Sequence, residues 1–476
     1  MSGYDVVIGL EVHAQLLTRS KAFCPCSTKT GLPPNTNTCP VCMGLPGTLP
    51  VLNERMVDFG IRLGLATGCT IEERSVFARK NYFYPDLPKG YQITQHVSPL
   101  CRDGSIDVEV NGETRPVRIM RIHLEEDAGK TVHDETGPLS FVDYNRSGVP
   151  LLEIVSMPDI TSTDMAVAYL RELRLILMYL GICDGNMEEG SLRCDANVSV
   201  KPAGTAEYGT RTEIKNVNSF RNVQKALEYE IRRQTDILES GGRVEQETRL
   251  WNASQGRTLS MRSKEESHDY RYFPEPDLLP VRVDEAWTAS VRDSLPELPA
   301  SVRRRFREVY GLPAYDASVL TGSRDLAAYF EACVEHLDAP KDMSNWIMTE
   351  VLRVLSEENL SIAAFPVSPA MLAGLIALVR QGAISGTMAK EVFGMMVTTG
   401  RTADEIVSEQ GMAQVSDEGR LREIAVSLVE AHPDEAKRYR EGKTGLLGFF
   451  VGKLMAATNG QANPRLASRV MKETLG

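Results

Sequence analysis

One short N-terminal segment places two groups with metal-binding chemistry side by side. In VIGLEVHAQL, Glu11 and His13 are two positions apart, and apolar residues flank both. Because successive residues of a β-strand point to opposite faces, this spacing predicts a strand with both side chains on one face. A carboxylate beside an imidazole is a typical part of a divalent-cation site. The segment therefore predicts a strand that contributes to such a site.

Other segments predict further strands with polar groups on one face. RCDANVSV alternates Arg193, Asp195 and Asn197 with apolar residues. RTEIK presents Lys215, and LLEIV holds Glu153 among aliphatic residues. A half-buried sheet with one solvated face explains any single strand. Together the strands favour a sheet face that binds Mg²⁺ and a phosphate, because a buried acid needs a partner or a cation. We expect the polar residues of RCDANVSV and RTEIK to contact the phosphate or nucleotide.

A run of acids follows the predicted strand VRIMRI. The segment HLEEDAGKT places Glu125, Glu126 and Asp127 next to one another. Neighbouring carboxylates repel, and a bound divalent cation would relieve that repulsion. A polar loop is the alternative. The cation is favoured, because the strands described above supply further ligands.

An aromatic and basic segment, RKNYFYPDLPKGYQI, contains two prolines that force an extended or turned path. Its Lys80, Tyr82 and Lys89 can line a polar passage or contact an anion. A loop anchored by its aromatic side chains is the alternative.

Four cysteines form two close pairs. Cys24 and Cys26 precede a loop rich in Pro, Asn and Gly, and Cys39 and Cys42 follow it. Two such pairs predict a tetrahedral Cys₄ zinc site, which is structural because the thiolates fill the coordination sphere. Reduced free thiols are the alternative, since disulfides are disfavoured in the cytoplasm.

Composition narrows the class of protein. The 476 residues carry a formal net charge of −11, which counts against a broad phosphate-binding surface but allows a local basic patch. No signal peptide and no membrane span is predicted, so we expect a cytoplasmic protein without a membrane partner. Basic residues near the C-terminus are candidates for such a patch, and solvated helix faces are the alternative. These residues are Lys443, Lys453, Arg465 and Arg469.

The elements that position these groups change in kind along the chain. Residues 1–295 alternate short strands, turns and a few amphipathic helices, which predicts an antiparallel sheet with flanking helices. One helix is expected to begin at Ser162 or Thr163, and another to run from about Arg221 to Leu238. The segment PELP then predicts a linker. Residues 296–405 and 406–476 predict two all-helical domains, giving an α+β chain overall.

Several of these segments together resemble one family. The B subunits of bacterial tRNA-dependent amidotransferases have similar motifs in the same order: VIGLEVHAQL, RKNYFYPDLPKGYQI, HLEEDAGK, PLLEIVSMPDI, MEEGSLRCDANVSV, KNVNSF, DYRYFPEPDL and the terminal GQANP. The match extends along the whole chain, and several motifs run to eight residues or more.

This resemblance implies a fold and an activity. The N-terminal part would be a cradle-like domain with the kinase and transamidase site, and the helical tail would contact tRNA. ATP would phosphorylate the side-chain carboxylate of Glu-tRNA(Gln) or Asp-tRNA(Asn). Ammonia from an amidase-type A subunit would displace the phosphate, and a small C subunit would complete a heterotrimer. No DNA partner is expected.

The resemblance also assigns roles to individual residues. His13, Glu126 and Glu153 match the family's Mg²⁺ ligands. The end of the ammonia passage corresponds to Lys80, Tyr82 and Lys89. The catalytic positions as a whole are Glu11, His13, Lys80, Glu125, Glu126 and Glu153.

Two other functions compete with this one. A free-standing ATP-dependent carboxylate–amine ligase would explain the acidic sheet but would leave the helical tail without a function. A zinc-stabilised tRNA-binding scaffold without catalysis gives no reason for Glu11, His13 and Glu153 to stand within strands.

Overall fold

The chain forms two compact units. The computed structural model describes residues 3–134, 137–263, 267–412, 418–458 and 462–476. The first unit is Met1–Pro299 and the second is Ala300–Gly476. Strands occur in the first unit, and the described part of the second contains only helices and their connections. The predicted α+β class is therefore confirmed, whereas the division of the helical region at residue 405 stays a prediction.

The strands of the first unit include long central ones and several short ones. Their bounds are β1 Tyr4–Gln15, β2 Thr70–Ile71, β3 Arg74–Ser75, β4 Phe77–Asn81, β5 Tyr91–Gln95, β6 Cys101–Val110, β7 Glu113–Glu126, β8 Lys130–His133, β9 Ser140–Asp143, β10 Pro150–Ser156, β11 Leu192–Pro202, β12 Thr212–Val217, β13 Glu247–Asn252, β14 Arg257–Ser263, β15 Phe273–Pro274 and β16 Val281–Arg282.

Nine of these strands make one sheet. The order across it is β14-β13-β12-β11-β1-β10-β7-β6-β2. Every neighbouring pair is antiparallel except β12 and β13. The strand β1 lies near the middle, so the segment that carries Glu11 and His13 is flanked on both sides by other strands. The predicted antiparallel sheet is confirmed.

Helices cover one face of the sheet. The first unit contains α1 Glu54–Ala66, α2 Thr163–Tyr179, α3 Phe220–Glu239 and α4 Glu285–Asp293. The hydroxyls of Ser162 and Ser219 accept hydrogen bonds from the first turns of α2 and α3, which fixes where these helices begin. Alternate residues of β1, including Leu10 and Val12, join the core beneath the helices. The intervening residues, which include Glu11 and His13, therefore face away from the helices.

The second unit is helical throughout its described residues. Its helices are α5 Pro299–Glu308, α6 Ala314–Leu320, α7 Arg324–His336, α8 Pro340–Trp346, α9 Leu352–Glu357, α10 Pro369–Arg380, α11 Gly386–Thr399, α12 Ala403–Gln410, α13 Glu418–Ala431, α14 Pro433–Arg440, α15 Leu447–Ala457 and α16 Pro464–Leu475. The helices α13, α15 and α16 pack around one buried apolar cluster, which includes Leu421, Phe450, Leu454 and Val470. Across the described residues, no helix has the length and apolar character that a membrane crossing requires.

Candidate active site

The register of the sheet brings ionisable residues into one row. His13 on β1 lies opposite Arg193 on β11 and opposite Glu153 on β10. Glu153 in turn lies opposite His123 on β7. Directly opposed residues of antiparallel strands share a face, so this row crosses four strands on the face away from the helices.

Three of the side chains converge closely enough to hold one metal ion. The Nε2 atom of His13 lies 3.3 Å from a carboxylate oxygen of Glu153 and 3.6 Å from one of Glu125. The ligand atoms of the three residues lie within 4.8 Å of one another. The Nε2 atom of His123 adds a contact of 3.4 Å to Glu153. Two carboxylates and an imidazole fit a divalent cation whose remaining positions are filled by water or phosphate oxygens.

The electrostatics of this cluster match a cation site. Burial alone would lower the pKa of His13, but contacts with Glu153, Glu125 and Asp195 raise it to about 9. The pKa of Glu153 is held well below its usual range by His123 and His13, against the opposing effect of burial. Without metal, the proton on His13 therefore supplies part of the positive charge that the two carboxylates require.

The structure groups Glu125, and not Glu126, with His13 and Glu153. These neighbours on β7 point to opposite sides of the strand. Glu126 forms an ion pair with Lys89 and accepts a hydrogen bond of 2.9 Å from the backbone N–H of Ile93. Glu126, the metal ligand that the resemblance implies, therefore pairs with Lys89, and Glu125 lies beside His13 and Glu153 instead.

A second row on the same face carries more polar residues. Glu11 lies opposite Asp195, and the side-chain amide of Asn197 donates a hydrogen bond of 2.9 Å to Glu11. The Lys215 ammonium lies 2.7 Å from Asp195. These predicted phosphate- or nucleotide-binding residues thus adjoin the cluster of His13, Glu125 and Glu153. Asn197 and Glu11 also line an adjacent cavity of about 610 Å³, a size typical of ligand pockets.

Arg193, also expected to bind phosphate, is already paired. Its guanidinium donates a hydrogen bond of 2.9 Å to Asp127. The same carboxylate accepts a hydrogen bond of 2.8 Å from Gln15. Burial alone would raise the pKa of Asp127, but the charges of Arg193 and Arg146 and these hydrogen bonds hold it below its usual value. Arg193 therefore holds Asp127, the residue that directly follows β7, in place.

His13 and Glu153 line a polar cavity of about 510 Å³. The Lys80 ammonium lies 4.7 Å from the ring centroid of Tyr270 and 5.8 Å from that of Tyr82. His96 and Tyr272 stack in parallel with centroids 4.0 Å apart. Of the residues predicted from the sequence, this cavity brings together Glu11, His13, Lys80, Glu153, Asp195 and Lys215.

The four predicted zinc ligands also come together. The sulfur atoms of Cys24, Cys26, Cys39 and Cys42 lie within 4.8 Å of one another, and those of Cys39 and Cys42 are 3.9 Å apart. Four thiolates at about 2.3 Å from a tetrahedral Zn²⁺ would be about 3.8 Å apart. The Cys39–Cys42 distance matches this value, and the four sulfur atoms together suit a tetrahedral zinc site.

A buried lysine supports the cysteine cluster. Lys21 is 1% exposed. Its ammonium lies 3.6 Å from the sulfur of Cys42, 2.9 Å from the carbonyl oxygen of Asn37 and 3.2 Å from that of Tyr144. In the part of the chain that the structure describes, no carboxylate forms an ion pair with Lys21. A thiolate at Cys42 would therefore give the buried ammonium a counter-charge, as a zinc site would require.

The candidate tRNA contacts lie in the second unit. All four side chains are exposed on the last helices and their connections. The guanidinium of Arg469 lies 2.7 Å from Glu418, so its charge is partly neutralised. Lys453 lies 5.7 Å from the ring centroid of Phe449. The role of Lys443, Lys453, Arg465 and Arg469 in binding tRNA stays a prediction.

Sequence reasoning did not assign roles to three residues that the structure places at these sites. Arg121 and His123 alternate with buried apolar residues before Glu125, so the period of two along VRIMRIHLE was the signal that could have found them. Lys21 carried no comparable signal, because nothing in the sequence shows that its ammonium reaches Cys42.

Comparisons with known proteins identify the class to which the first unit belongs. The family model described as "GatB/GatE catalytic domain" matches residues 6–289, and that described as "GatB domain" matches residues 328–475. The sheet and its acidic cluster lie within the first match, so the first unit is a catalytic domain of this class.

Full-length relatives identify the family more closely. A protein of Geotalea uraniireducens, named as the B subunit of aspartyl/glutamyl-tRNA(Asn/Gln) amidotransferase, is 56% identical over 475 residues, which is 99% of both chains. Proteins of the same name from Chlorobium limicola and Thermodesulfovibrio yellowstonii are 56% and 55% identical, again over 99% of both chains. This chain belongs to the family of aspartyl/glutamyl-tRNA(Asn/Gln) amidotransferase B subunits.

Proposed function

We propose that this chain carries the kinase and transamidase site of a tRNA-dependent amidotransferase. The chain phosphorylates the side-chain carboxylate of Glu-tRNA(Gln) or Asp-tRNA(Asn) with ATP, and ammonia then replaces the phosphate. The observation that carries the proposal is the cluster of His13, Glu125 and Glu153 beside a cavity that also presents cationic side chains. The names of relatives that are 56% identical support it.

The reaction has two steps. In the first, a carboxylate oxygen bonds to the γ-phosphorus of ATP while the bond from that phosphorus to ADP breaks. In the second, the nitrogen of ammonia attacks the carboxyl carbon, the carbon–oxygen bond to phosphate breaks, and the nitrogen loses a proton. Because an acyl phosphate hydrolyses readily, the site must keep water from the acyl phosphate until ammonia arrives.

Three side chains would hold the metal. His13, Glu125 and Glu153 offer one nitrogen and two carboxylate ligands, and His123 orients Glu153 through its 3.4 Å contact. A bound Mg²⁺ would neutralise charge on the transferred phosphoryl group. Glu11 and Asp195 extend the acidic face beyond the cluster. We propose that Asn197 and Lys215, which contact these two acids, also contact the nucleotide.

A small polar cavity suits the delivery of ammonia. The paired side chains of Lys89 and Glu126 line a space of about 100 Å³. This exceeds the ~30 Å³ that one water molecule occupies and is far below the size of a nucleotide site. We propose that this pair, with Lys80 and Tyr82, forms the end of the ammonia passage.

Nitrogen would come from another protein of the complex. Cys194 lies on the helix-covered face of the sheet, and burial raises its pKa well above the usual range, so this thiol is unsuited to glutamine hydrolysis. We therefore propose that ammonia is released by an amidase-type A subunit, and that a small C subunit is the third member of a heterotrimer. Zinc on the four cysteines would stabilise the loop that carries them.

A nitrogen-source experiment tests the proposal. With ammonium chloride instead of glutamine, the complex should convert Glu-tRNA(Gln) to Gln-tRNA(Gln) with one ATP consumed per amide formed. His13→Ala should abolish both ATP consumption and amide formation. His133→Ala is a matched control, because His133 is exposed on β8 and contacts Ser140.

Amide formation that persists in His13→Ala would place the site elsewhere. ATP consumption independent of aminoacylated tRNA would favour a free-standing ligase, and tRNA binding without turnover would favour a scaffold.

A further inference from the structure

The cationic side chains near the cavity differ in whether their charge is already neutralised. Arg193 donates a hydrogen bond of 2.9 Å to Asp127, and Lys215 lies 2.7 Å from Asp195. A cation with such a partner contributes less net attraction to an incoming anion, because the nearby carboxylate repels that anion. These two residues are therefore weak candidates for the main anion contact.

Arg121 differs from Arg193 and Lys215 in the groups that surround its charge. It precedes His123 by two residues on β7 and lines the same cavity as His13 and Glu153. Its Nε atom is buried and has no hydrogen-bond partner. Within the described ranges, Arg121 also has no carboxylate partner. Arg121 as a whole is partly buried, but a buried guanidinium nitrogen that lacks an acceptor is costly, and binding an anion would lower that cost.

Lys80 supplies a second cationic side chain to the cavity that Arg121 lines. Its ammonium lies over the rings of Tyr270 and Tyr82, at 4.7 and 5.8 Å from their centroids. In the described portion of the chain no ion pair joins it to a carboxylate. Burial, followed by the charges of Arg121, His123 and Lys80, lowers the pKa of His96. This end of the cavity is therefore electropositive.

The register shows where an anion would sit. Val155 on β10 lies opposite both Glu11 on β1 and Arg121 on β7. The apolar side chain of Val155 therefore lies between an acidic residue and a basic residue and carries no charge of its own. Since Val155 follows Glu153 by two residues on the same face, this position adjoins the cluster of His13, Glu125 and Glu153.

We propose that Arg121, assisted by Lys80, binds the reacting oxyanion of the substrate. This inference rests on the proposed function and identifies the group that holds the carboxylate during phosphorylation and the acyl phosphate afterwards. A planar guanidinium can donate two parallel hydrogen bonds to either oxyanion, which fixes its orientation as well as its charge. The γ-phosphoryl group of ATP offers the same chemistry, so the test distinguishes the two sources.

The experiment uses the complete complex and substitutions at Arg121. Arg121→Met removes the charge, Arg121→Lys keeps a point charge, and Arg121→Ala leaves space for added guanidinium ion. Arg115→Met is a matched control, because Arg115 lies on the same strand, is 54% exposed and pairs with Glu113. Three quantities are measured: ATP hydrolysis stimulated by Glu-tRNA(Gln), ATP affinity without tRNA, and Mn²⁺ affinity as a check that the cluster has folded.

Arg121→Met should lower tRNA-stimulated hydrolysis by about 100-fold or more, as expected for loss of one preorganised donor to a developing oxyanion. Arg121→Lys should recover part of this loss, guanidinium chloride at millimolar concentration should restore activity to Arg121→Ala, and Mn²⁺ affinity should stay unchanged. Unchanged ATP affinity would identify the substrate carboxylate as the anion, and reduced ATP affinity would identify the γ-phosphoryl group.

Two results would overturn the inference while leaving the proposed function intact. One is Arg121→Met activity close to that of the wild type. The other is a loss of activity that guanidinium does not rescue and that is accompanied by loss of Mn²⁺ binding, since that pattern indicates a structural role. A wild-type complex without tRNA-stimulated hydrolysis would instead overturn the proposed function, and this inference with it.

Discussion

Replacing Lys21 with methionine should weaken zinc binding at the four cysteines. The substitution keeps the approximate length of the side chain and removes its charge, at a site that is 1% exposed and 3.6 Å from the sulfur of Cys42. Four thiolates around Zn²⁺ carry a net charge of −2, and the Lys21 ammonium offsets half of it. The methionine side chain would leave that excess charge uncompensated in a buried setting.

Two estimates bound the size of this effect. Two unit charges 3.6 Å apart attract by about 4.6 kcal/mol at an effective dielectric constant of 20, which is an upper limit. A hydrogen bond to a charged group contributes about 1.5–3 kcal/mol net, because both groups also lose water. We use the second estimate for the effect on zinc binding, since both groups lose water in this buried site. Zinc affinity should therefore fall by about 10- to 150-fold.

Competition with a chromophoric chelator measures this change directly. Lys29→Met is the control, because Lys29 lies in the same loop and is exposed. The increase in melting temperature caused by zinc should shrink in Lys21→Met and stay the same in Lys29→Met. Equal zinc affinities for Lys21→Met and the wild type would refute the idea that the lysine balances the charge of the metal centre.

Three further predictions concern the first unit. Glu125→Gln should weaken Mn²⁺ binding at least tenfold in a calorimetric titration, whereas Glu126→Gln should not, because only Glu125 joins the cluster. Since the pKa of His13 is about 9, a divalent cation must displace its proton at pH 7, so calorimetry in two buffers should show proton release, and affinity should rise with pH until about 9. Glu230→Ala should lower the free energy of unfolding by about 3–5 kcal/mol in denaturant titrations, because it removes the fully buried carboxylate that pairs with both Arg233 and Arg249.

Each of these predictions has a clear contrary result. Equal Mn²⁺ affinities for the two glutamate variants would mean that the alternation along β7 does not decide the ligand. Binding without proton release would show that His13 is neutral at pH 7 in the metal-free protein. A loss of stability near zero for Glu230→Ala would mean that its contact with Arg233, at 2.5 Å, and with Arg249 contributes nothing net.

Much of the site was predictable because the polar groups lie at a period of two among apolar residues. That pattern placed Glu11 and His13 on one strand face, and the structure confirms this arrangement on β1. It also predicted Glu153 as an isolated acid in a strand, where it now lies opposite His13. The pattern works here because one face of the sheet is buried under helices, which forces every strand to alternate.

Other features depend on contacts between distant parts of the chain. Arg193 was expected to bind phosphate, but the structure pairs it with Asp127, which lies 66 residues earlier. The buried contact of Lys21 with Cys42 likewise depends on the folding of a loop. Pairing of this kind follows from tertiary packing, so local sequence patterns do not reveal it.

The path of one oxygen atom tests the central claim most directly. Glu-tRNA(Gln) with ¹⁸O in its side-chain carboxylate would be converted by the complex with ATP and glutamine, and the inorganic phosphate analysed by mass spectrometry. If the carboxylate is phosphorylated, one ¹⁸O atom should appear in phosphate for each amide formed, and His13→Ala should transfer none. Amide formation with unlabelled phosphate would contradict activation of the carboxylate by phosphoryl transfer at this site.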